Sequence, residues 1–350
     1  MKRKILFWFG LIVSVVFLYI ALRDIEFAEF VSTLRQAKPG PMIAAFVLIT
    51  GLYTIRALRW HTIIRARYRV PYFTAFRIEM IGLFSNNVLP ARAGEIVRAF
   101  FLRREANVTK SFAFGTILVD RVTDLAILLA LMLVALSQLP DSSIMATVNS
   151  VEEFAFIALS GLILGMIVLV LFRTRFVALL EKLFGCVLSK ENACKLAGKF
   201  DDFSRGLEVL RNPIRLAAVL LMALTIWGGM TVGYYLIFLG LGFEVPFSAA
   251  ITTIALVNLG LLVPSSPGYV GTYEFFVLKS LEIYGVSAGA AIAFALISRM
   301  FWYLVEICVG FVMLLTSHVK IGQLVEVSQS DEDAADPDSP TRSVQPASEA

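Results

Sequence analysis

The sequence predicts an all-α polytopic membrane protein with about six full spans and two re-entrant helical hairpins, arranged as an inverted-topology repeat. Three observations predict it. The 350 residues are 58% hydrophobic and only 17% charged, with 28 phenylalanines and a mean hydropathy of +0.79; ordinary soluble domains carry roughly a quarter charged residues. Several stretches approach or exceed the ~18 apolar residues that a helix needs to cross about 30 Å of hydrocarbon. Two more apolar stretches are broken in their middles by polar residues, proline and glycine.

The full spans read as 5–22, 42–64, 112–138, 154–172, 214–239 and 285–315, and the broken stretches as 73–101 and 247–280. The basic start MKRK and the apolar run behind it have the look of a secretory signal. Nothing small and polar follows, however, and Leu22-Arg23-Asp24 reads as the far end of a retained helix.

Loop charges assign the sides of the membrane. Lys2, Arg3 and Lys4 put the N-terminus in the cytoplasm. Arg59, Arg65, Arg67, Arg69 and Arg77 precede most of the first broken stretch, and Arg98, Arg103, Arg104 and Lys110 close it. Both of its ends therefore read as cytoplasmic, and the stretch dips in and returns. The loop after the third span holds Asp141, Glu152 and Glu153 without a lysine or arginine, so it reads as exoplasmic. Residues 173–215 carry nine basic and five acidic residues and return to the cytoplasm as a loop over 173–213. The last span ends near Lys320. A transmembrane domain over 1–320 is then followed by an acidic, disordered cytoplasmic tail over 321–350.

Composition also excludes chemistries. Cys186, Cys194 and Cys308 are too scattered for a disulfide framework, and two histidines are too few for a histidine-rich metal site. No Ser-His-Asp set, CxxC pair, Walker loop or dinucleotide fingerprint is present. The sequence calls for no cofactor, no metal and no nucleic acid.

An offset of 174 residues lays FSNNVLPARAGEIVRAFF over NLGLLVPSSPGYVGTYEF, with Pro90 on Pro264 and Gly94 on Gly268. Five identities in thirty positions are close to noise; the order of elements argues more strongly. Each broken stretch follows one span and precedes another, and three crossings separate the two. Halves of about 42–139 and 214–315 would be related by inversion.

A non-helical backbone at membrane depth must find partners in protein or water. Pro90 donates no hydrogen bond and disfavours a helical Leu89, while Gly94 permits a tight turn. Pro90 and Gly94, and Pro264, Pro267 and Gly268, then mark two hairpin tips. Helix ends aimed into a cavity offer unpaired amides that favour an anion such as a lipid phosphate. Asn86, Asn87, Arg92, Glu95 and Arg98 around the first tip need a wet, protein-lined pocket if they lie at depth. Arg98 reads equally as a side chain reaching back to the interface.

The helices behind the hairpins carry more charge. Asp120 and Asp124 share a face with Arg121 beside it, and Arg299 and Glu306 lie seven apart on one face. One reading makes them structural pairs that hold helices together. The other makes Arg92, Arg121 and Arg299 the phosphate holders, with Glu95, Asp120 and Glu306 as charge partners and Glu274 as a further partner or proton carrier. Arg56, Arg59 and Trp60 close the second span as an interfacial belt, with Arg56 deep enough to reach a pocket.

The motifs LPARAGEIVRAF, VDRVTDL and VPSSPGYVGTYEFF, in that order, resemble the lysylphosphatidylglycerol synthase transmembrane region, the flippase-like domain family. The likeness covers about residues 5–318. It maps the family pattern onto Asn86, Pro90, Arg92, Gly94, Glu95, Arg98, Asp120, Arg121, Pro264, Pro267, Gly268 and Glu274. The resemblance implies a bacterial or archaeal inner-membrane protein that handles polar lipids. In larger members this region moves an aminoacylated phospholipid between leaflets while a separate soluble domain synthesises it. Residues 319–350 are too few and too polar to supply that domain. Some relatives are linked to glycosyl transfer onto polyprenyl carriers.

The expectation is a transporter or flippase for an anionic or aminoacylated phospholipid, or for a polyprenyl-linked lipid. Its partners would be membrane lipids, including an anionic headgroup at the cytoplasmic face, with room for a homo-oligomer. An enzyme acting on a lipid-linked substrate, with Glu95 or Asp124 as acid or base, and a non-catalytic scaffold stay open as alternatives.

Overall fold

A computed structural model of the chain describes residues 27–89, 93–138, 190–262 and 267–317, with scattered helical positions between 157 and 168. Regular structure among these residues is helical throughout: α1 (Phe27–Arg35), α2 (Pro39–Ile64), α3 (Tyr72–Val88), α4 (Gly94–Ala106), α5 (Lys110–Ser137), α6 (Lys190–Arg205), α7 (Pro213–Leu241), α8 (Phe247–Gly260), α9 (Thr272–Glu282) and α10 (Ala288–Thr316). The expected span 5–22, most of 154–172, the tail, and the tip residues Pro90, Arg92 and Pro264 lie outside the described residues.

Local chemistry sets the helix limits. Pro39 and Pro213 open α2 and α7, where a missing N–H costs nothing. Thr109, Asn212 and Ser287 cap α5, α7 and α10 by accepting from backbone amides of the first turn. Leu89 is extended (φ −91°, ψ 145°), as a residue before proline should be, and ends α3.

Among the described residues three helices are long and apolar enough to cross a membrane: α2 with 26 residues, and α7 and α10 with 29 each. At 1.5 Å per residue these reach about 39–44 Å. α5 has 28 residues, with Asp120, Arg121 and Asp124 along its length.

The distribution of polarity is reversed from that of a water-soluble fold. Ile43, Val47, Leu221, Leu224, Met300 and Leu304 are each at least half exposed, whereas Arg59, Glu79, Arg98, Asp120 and Glu274 are buried. Apolar side chains outside and charges inside suit a hydrocarbon solvent.

Packing is paired between the two parts of the chain. α2 lies along α7. Each broken stretch forms a packed helix pair, α3 with α4 and α8 with α9. α3 packs on α10 and α8 on α5; α4 packs on α5 and α9 on α10. The arms α3 and α4 touch at Gly82 and Gly94. A Cβ on Gly94 would collide with the Gly82 carbonyl and the Asn86 side chain, whose Oδ1 accepts from the Gly94 N–H at 2.9 Å. Gly94 therefore serves close approach, and its φ is not in the left-handed region that a tight turn would use. Gly268 does take that conformation, with φ +72°, in the short 3₁₀ turn Pro267–Tyr269.

α6, within the loop expected over 173–213, packs on α5. Gly115 and Gly206 permit it, because a Cβ on either would run into backbone of the other segment.

Candidate functional site

Eight charges of the first half form one chain of alternating sign. The Arg56 Nε donates to Glu79 Oε1 at 2.9 Å. Glu79 Oε2 lies 2.7 Å from Arg98, whose guanidinium also reaches Asp120 Oδ2 at 3.1 Å. Asp120 Oδ1 forms an ion pair with Arg59 at 2.7 Å, and Arg59 donates on to Asp124 Oδ1 at 2.6 Å. Arg121, 4.0 Å from Asp124 Oδ2, closes the chain on Glu95 at 2.8 Å. α2, α3, α4 and α5 are thereby tied together, and Trp227 Nε1 brings in α7 by donating to Asp124 Oδ1 at 2.8 Å. Positions four apart on α5 put Asp120 and Asp124 on one face, which is why Arg59 can hold both. The positive and negative members balance, as a buried network must if desolvation is not to unfold it.

A second cluster fills the other half. Arg299 meets both oxygens of Glu274, at 2.7 and 3.1 Å, and donates to the Tyr269 carbonyl at 3.0 Å. Its guanidinium carbon lies 5.0 Å from the centre of the Tyr273 ring and 5.7 Å from that of Tyr303. Glu274 also accepts the Gly271 N–H at 2.8 Å, so one carboxylate caps α9 and holds α10. The Tyr303 hydroxyl donates to the Gly268 carbonyl, pinning the second hairpin to α10.

Between these clusters lies a cavity of about 330 Å³. α2, α3 and α5 supply Tyr53, Arg56, Asn86, Arg121 and Asp124 to its wall; α7, α8 and α10 supply Trp227, Tyr234, Asn258, Trp302 and Glu306. Glu306 accepts from the Tyr53 hydroxyl at 2.9 Å and from Asn87 Nδ2 at 2.5 Å. The other wall charges, Arg56, Arg121 and Asp124, each face an opposite charge, but no ion pair involves Glu306 among the described residues. The space has two arginines, two carboxylates and several aromatic faces within one wall.

The structure thus brings Asn86, Arg121, Asp124 and Glu306 to one cavity, with Asn87 and Glu95 directly bonded to members of its wall. Arg98 and Asp120 lie behind the wall, and Arg98 is buried rather than reaching to an interface. Arg299 and Glu274 form their own cluster, so Glu306 partners Tyr53 and Asn87 in place of the arginine seven residues before it. Arg59 and Trp60 are fully buried and form no interfacial belt; Trp60 lies under Arg98, 4.2 Å from its guanidinium carbon. Arg56 does reach the cavity. Sequence reasoning missed Glu79, although a lone carboxylate within the apolar run of α3 was the signal for it.

A helical molecule that turns its charges inward and its leucines outward is a multi-pass membrane protein. Residues 7–310 match the family described as the lysylphosphatidylglycerol synthase TM region, and the chain belongs to that family. It is 27% identical to glycosyltransferase AglD of Haloferax volcanii over 93% of this chain, and spans 57% of that protein's length. It is 23% identical to a UPF0104 membrane protein of Methanocaldococcus jannaschii, covering 87% of this chain and 93% of that one. A UPF0104 membrane protein of Methanothermobacter thermautotrophicus is 28% identical over 75% of this chain and 80% of its own. No solved structure matches the chain.

Proposed function

We propose that the chain is a lipid transporter that moves a polar headgroup through the central cavity while the acyl chains stay in the bilayer. The observation that carries this reading is the cavity itself, a charged and aromatic space lined by helices whose outer faces are apolar. The headgroup is that of an anionic or aminoacylated phospholipid, or of a polyprenyl-linked lipid. Arg121 is the phosphate holder, with Arg92 and Arg299 as the further candidates.

The paired packing supports an inverted repeat with halves near 42–139 and 214–315. Under that symmetry α2, α3, α4 and α5 correspond to α7, α8, α9 and α10, and each pairing in one half has its counterpart in the other. The two broken helix pairs are then re-entrant hairpins, entered from opposite faces of a cytoplasmic membrane, with both termini in the cytoplasm. Inverted halves give two related conformations of similar energy, one open to each side.

The relative named a glycosyltransferase keeps transfer onto a lipid-linked acceptor as the second reading. It requires a general acid or base free to exchange a proton. Glu95 is held by Arg121, and Asp124 by Arg59 and Trp227, which favours the transport reading.

The test is reconstitution of purified protein into liposomes with fluorescent phosphatidylglycerol, its exposure followed with a membrane-impermeant quencher. Transport is expected, and Arg121→Ala should slow it on the order of tenfold, about 1.4 kcal/mol of barrier. Unchanged rates with Arg92, Arg121 and Arg299 all replaced would remove the residue assignment. Product formed from a polyprenyl-linked sugar donor, without lipid movement, would select the transferase.

A further inference from the structure

Arg121 follows the first residue of α5, Lys110, by eleven positions, and Arg299 follows the first residue of α10, Ala288, by the same eleven. Each reaches back to a glutamate in the first turn of the preceding helix: Arg121 to Glu95 of α4 at 2.8 Å, Arg299 to Glu274 of α9 at 2.7 Å. α5 and α10 occupy equivalent places in the packing, each against its own α4 or α9 and against the other part's α8 or α3. The two pairs are thus the same device built twice.

They differ in state. The Arg121 side chain is 37% exposed and Glu95 28%, and Arg121 lies on the cavity wall. Arg299 is 9% exposed and Glu274 4%; Arg299 also has the Tyr269 carbonyl and two aromatic rings, and it is not on that wall. A phosphate oxygen approaching from the cavity meets, at Arg121, a guanidinium held by Glu95 at 2.8 Å, with Asp124 only at 4.0 Å. At Arg299 it would have to displace a bidentate carboxylate and a carbonyl.

We infer that Arg121–Glu95 and Arg299–Glu274 are two equivalent phosphate seats used in alternation, the first open to the cavity in this structure and the second shut. The inference rests on the lipid-transport reading for its ligand, a phosphodiester headgroup that exchanges for the glutamate on the open arginine. When the second seat opens, the first takes up the tight arrangement now seen at Arg299. Bidentate phosphate binding suits arginine for the exchange, because carboxylate and phosphate occupy the same planar fork.

The test uses the full chain with Cys186, Cys194 and Cys308 replaced by serine and one reporter cysteine, at Leu125 on the cavity wall beside the first seat or at the buried Ser298 beside the second. Modification by a charged, membrane-impermeant thiol reagent is timed. Glu274→Gln loosens the shut seat, so the reporter at 298 should react several-fold faster and the one at 125 several-fold slower. Glu95→Gln should move both the other way. Arg299→Lys, which keeps the charge and gives up the fork, should follow Glu274→Gln in direction, and it carries the test if Glu274→Gln fails to fold. Phosphatidylglycerol should protect the reporter at 125, and Arg121→Ala should abolish that protection; protection by inorganic phosphate equally well would overturn the lipid as ligand.

Both reporters moving in the same direction, or neither moving in a folded variant, overturns the alternation. Opposite shifts without any lipid movement in liposomes would keep the paired seats and remove the transport reading. Lipid movement with no opposite shifts would do the reverse.

Discussion

Arg98 stands between Glu79 and Asp120, 2.7 Å from one carboxylate and 3.1 Å from the other, with the Trp60 ring beneath its guanidinium. One side chain on α4 thereby joins α3 to α5 and fills the space over an aromatic face. Removing it leaves two carboxylates short of a counter-charge in a buried setting. Arg98→Met should cost about 3–5 kcal/mol of stability, and Arg98→Lys less, because lysine keeps the charge without the fork. By contrast Lys279→Ala, which breaks the exposed Lys279–Glu282 pair, should change stability by less than about 1 kcal/mol. Thermal unfolding of the detergent-solubilised variants measures all three, and similar losses for Arg98→Met and Lys279→Ala would refute the buried network.

Gly94 and Gly51 separate two uses of glycine. Gly94→Ala places a methyl group against the Gly82 carbonyl and the Asn86 side chain, so α3 and α4 must part. Its melting temperature should fall clearly, on the scale of the 1–3 kcal/mol that overpacking costs, roughly. Gly51, in the middle of α2, has nothing within 4 Å of an added Cβ. Gly51→Ala should be neutral or stabilising by up to about 1 kcal/mol through helix propensity.

Glu306 accepts two hydrogen bonds and forms no ion pair among the described residues. A charge held this way in a cavity costs stability and persists where function needs it. Glu306→Gln removes an unpaired charge at near-constant shape and should therefore raise the unfolding midpoint, and slow lipid movement in liposomes. A variant that is less stable and equally active would assign Glu306 a structural role.

α6 is held on α5 where Gly115 meets Gly206. Gly115→Leu should release residues 190–205 without unfolding the α2–α7 contact. Hydrogen exchange should rise several-fold across α6 and stay unchanged in α2. Uniform loss of protection would show that α6 and the bundle unfold as one unit.

The long helices were legible because apolar length alone sets them: the expected 42–64 and 214–239 are the observed α2 and α7 within a few residues. The breaks were legible through proline and glycine, and the extended Leu89 before Pro90 is the direct outcome. The charged residues of the cavity were legible as charges out of place in apolar runs. Their partners were not. Arg299 and Glu306 share a face by spacing, yet Arg299 takes Glu274 and Glu306 takes Tyr53. Arg59 and Trp60 near the end of a span have the pattern of an interfacial belt, and only packing against α5 showed them buried. Glu79 was legible as a lone carboxylate in an apolar run, but its pairing with Arg56 and Arg98 depends on how three helices meet.

The sequence by itself determined an apolar helical chain, the places where its helices break, and the family to which the motifs belong. These depend on neighbours within a turn or two, where backbone geometry and side-chain hydropathy act directly. The tertiary structure decided which arginine meets which carboxylate, which glycine marks a contact, and which charges share the cavity. Coulomb attraction in a poorly screened interior depends on distances between helices, and residues such as Tyr53 and Glu306, 253 positions apart, acquire theirs only when the bundle closes.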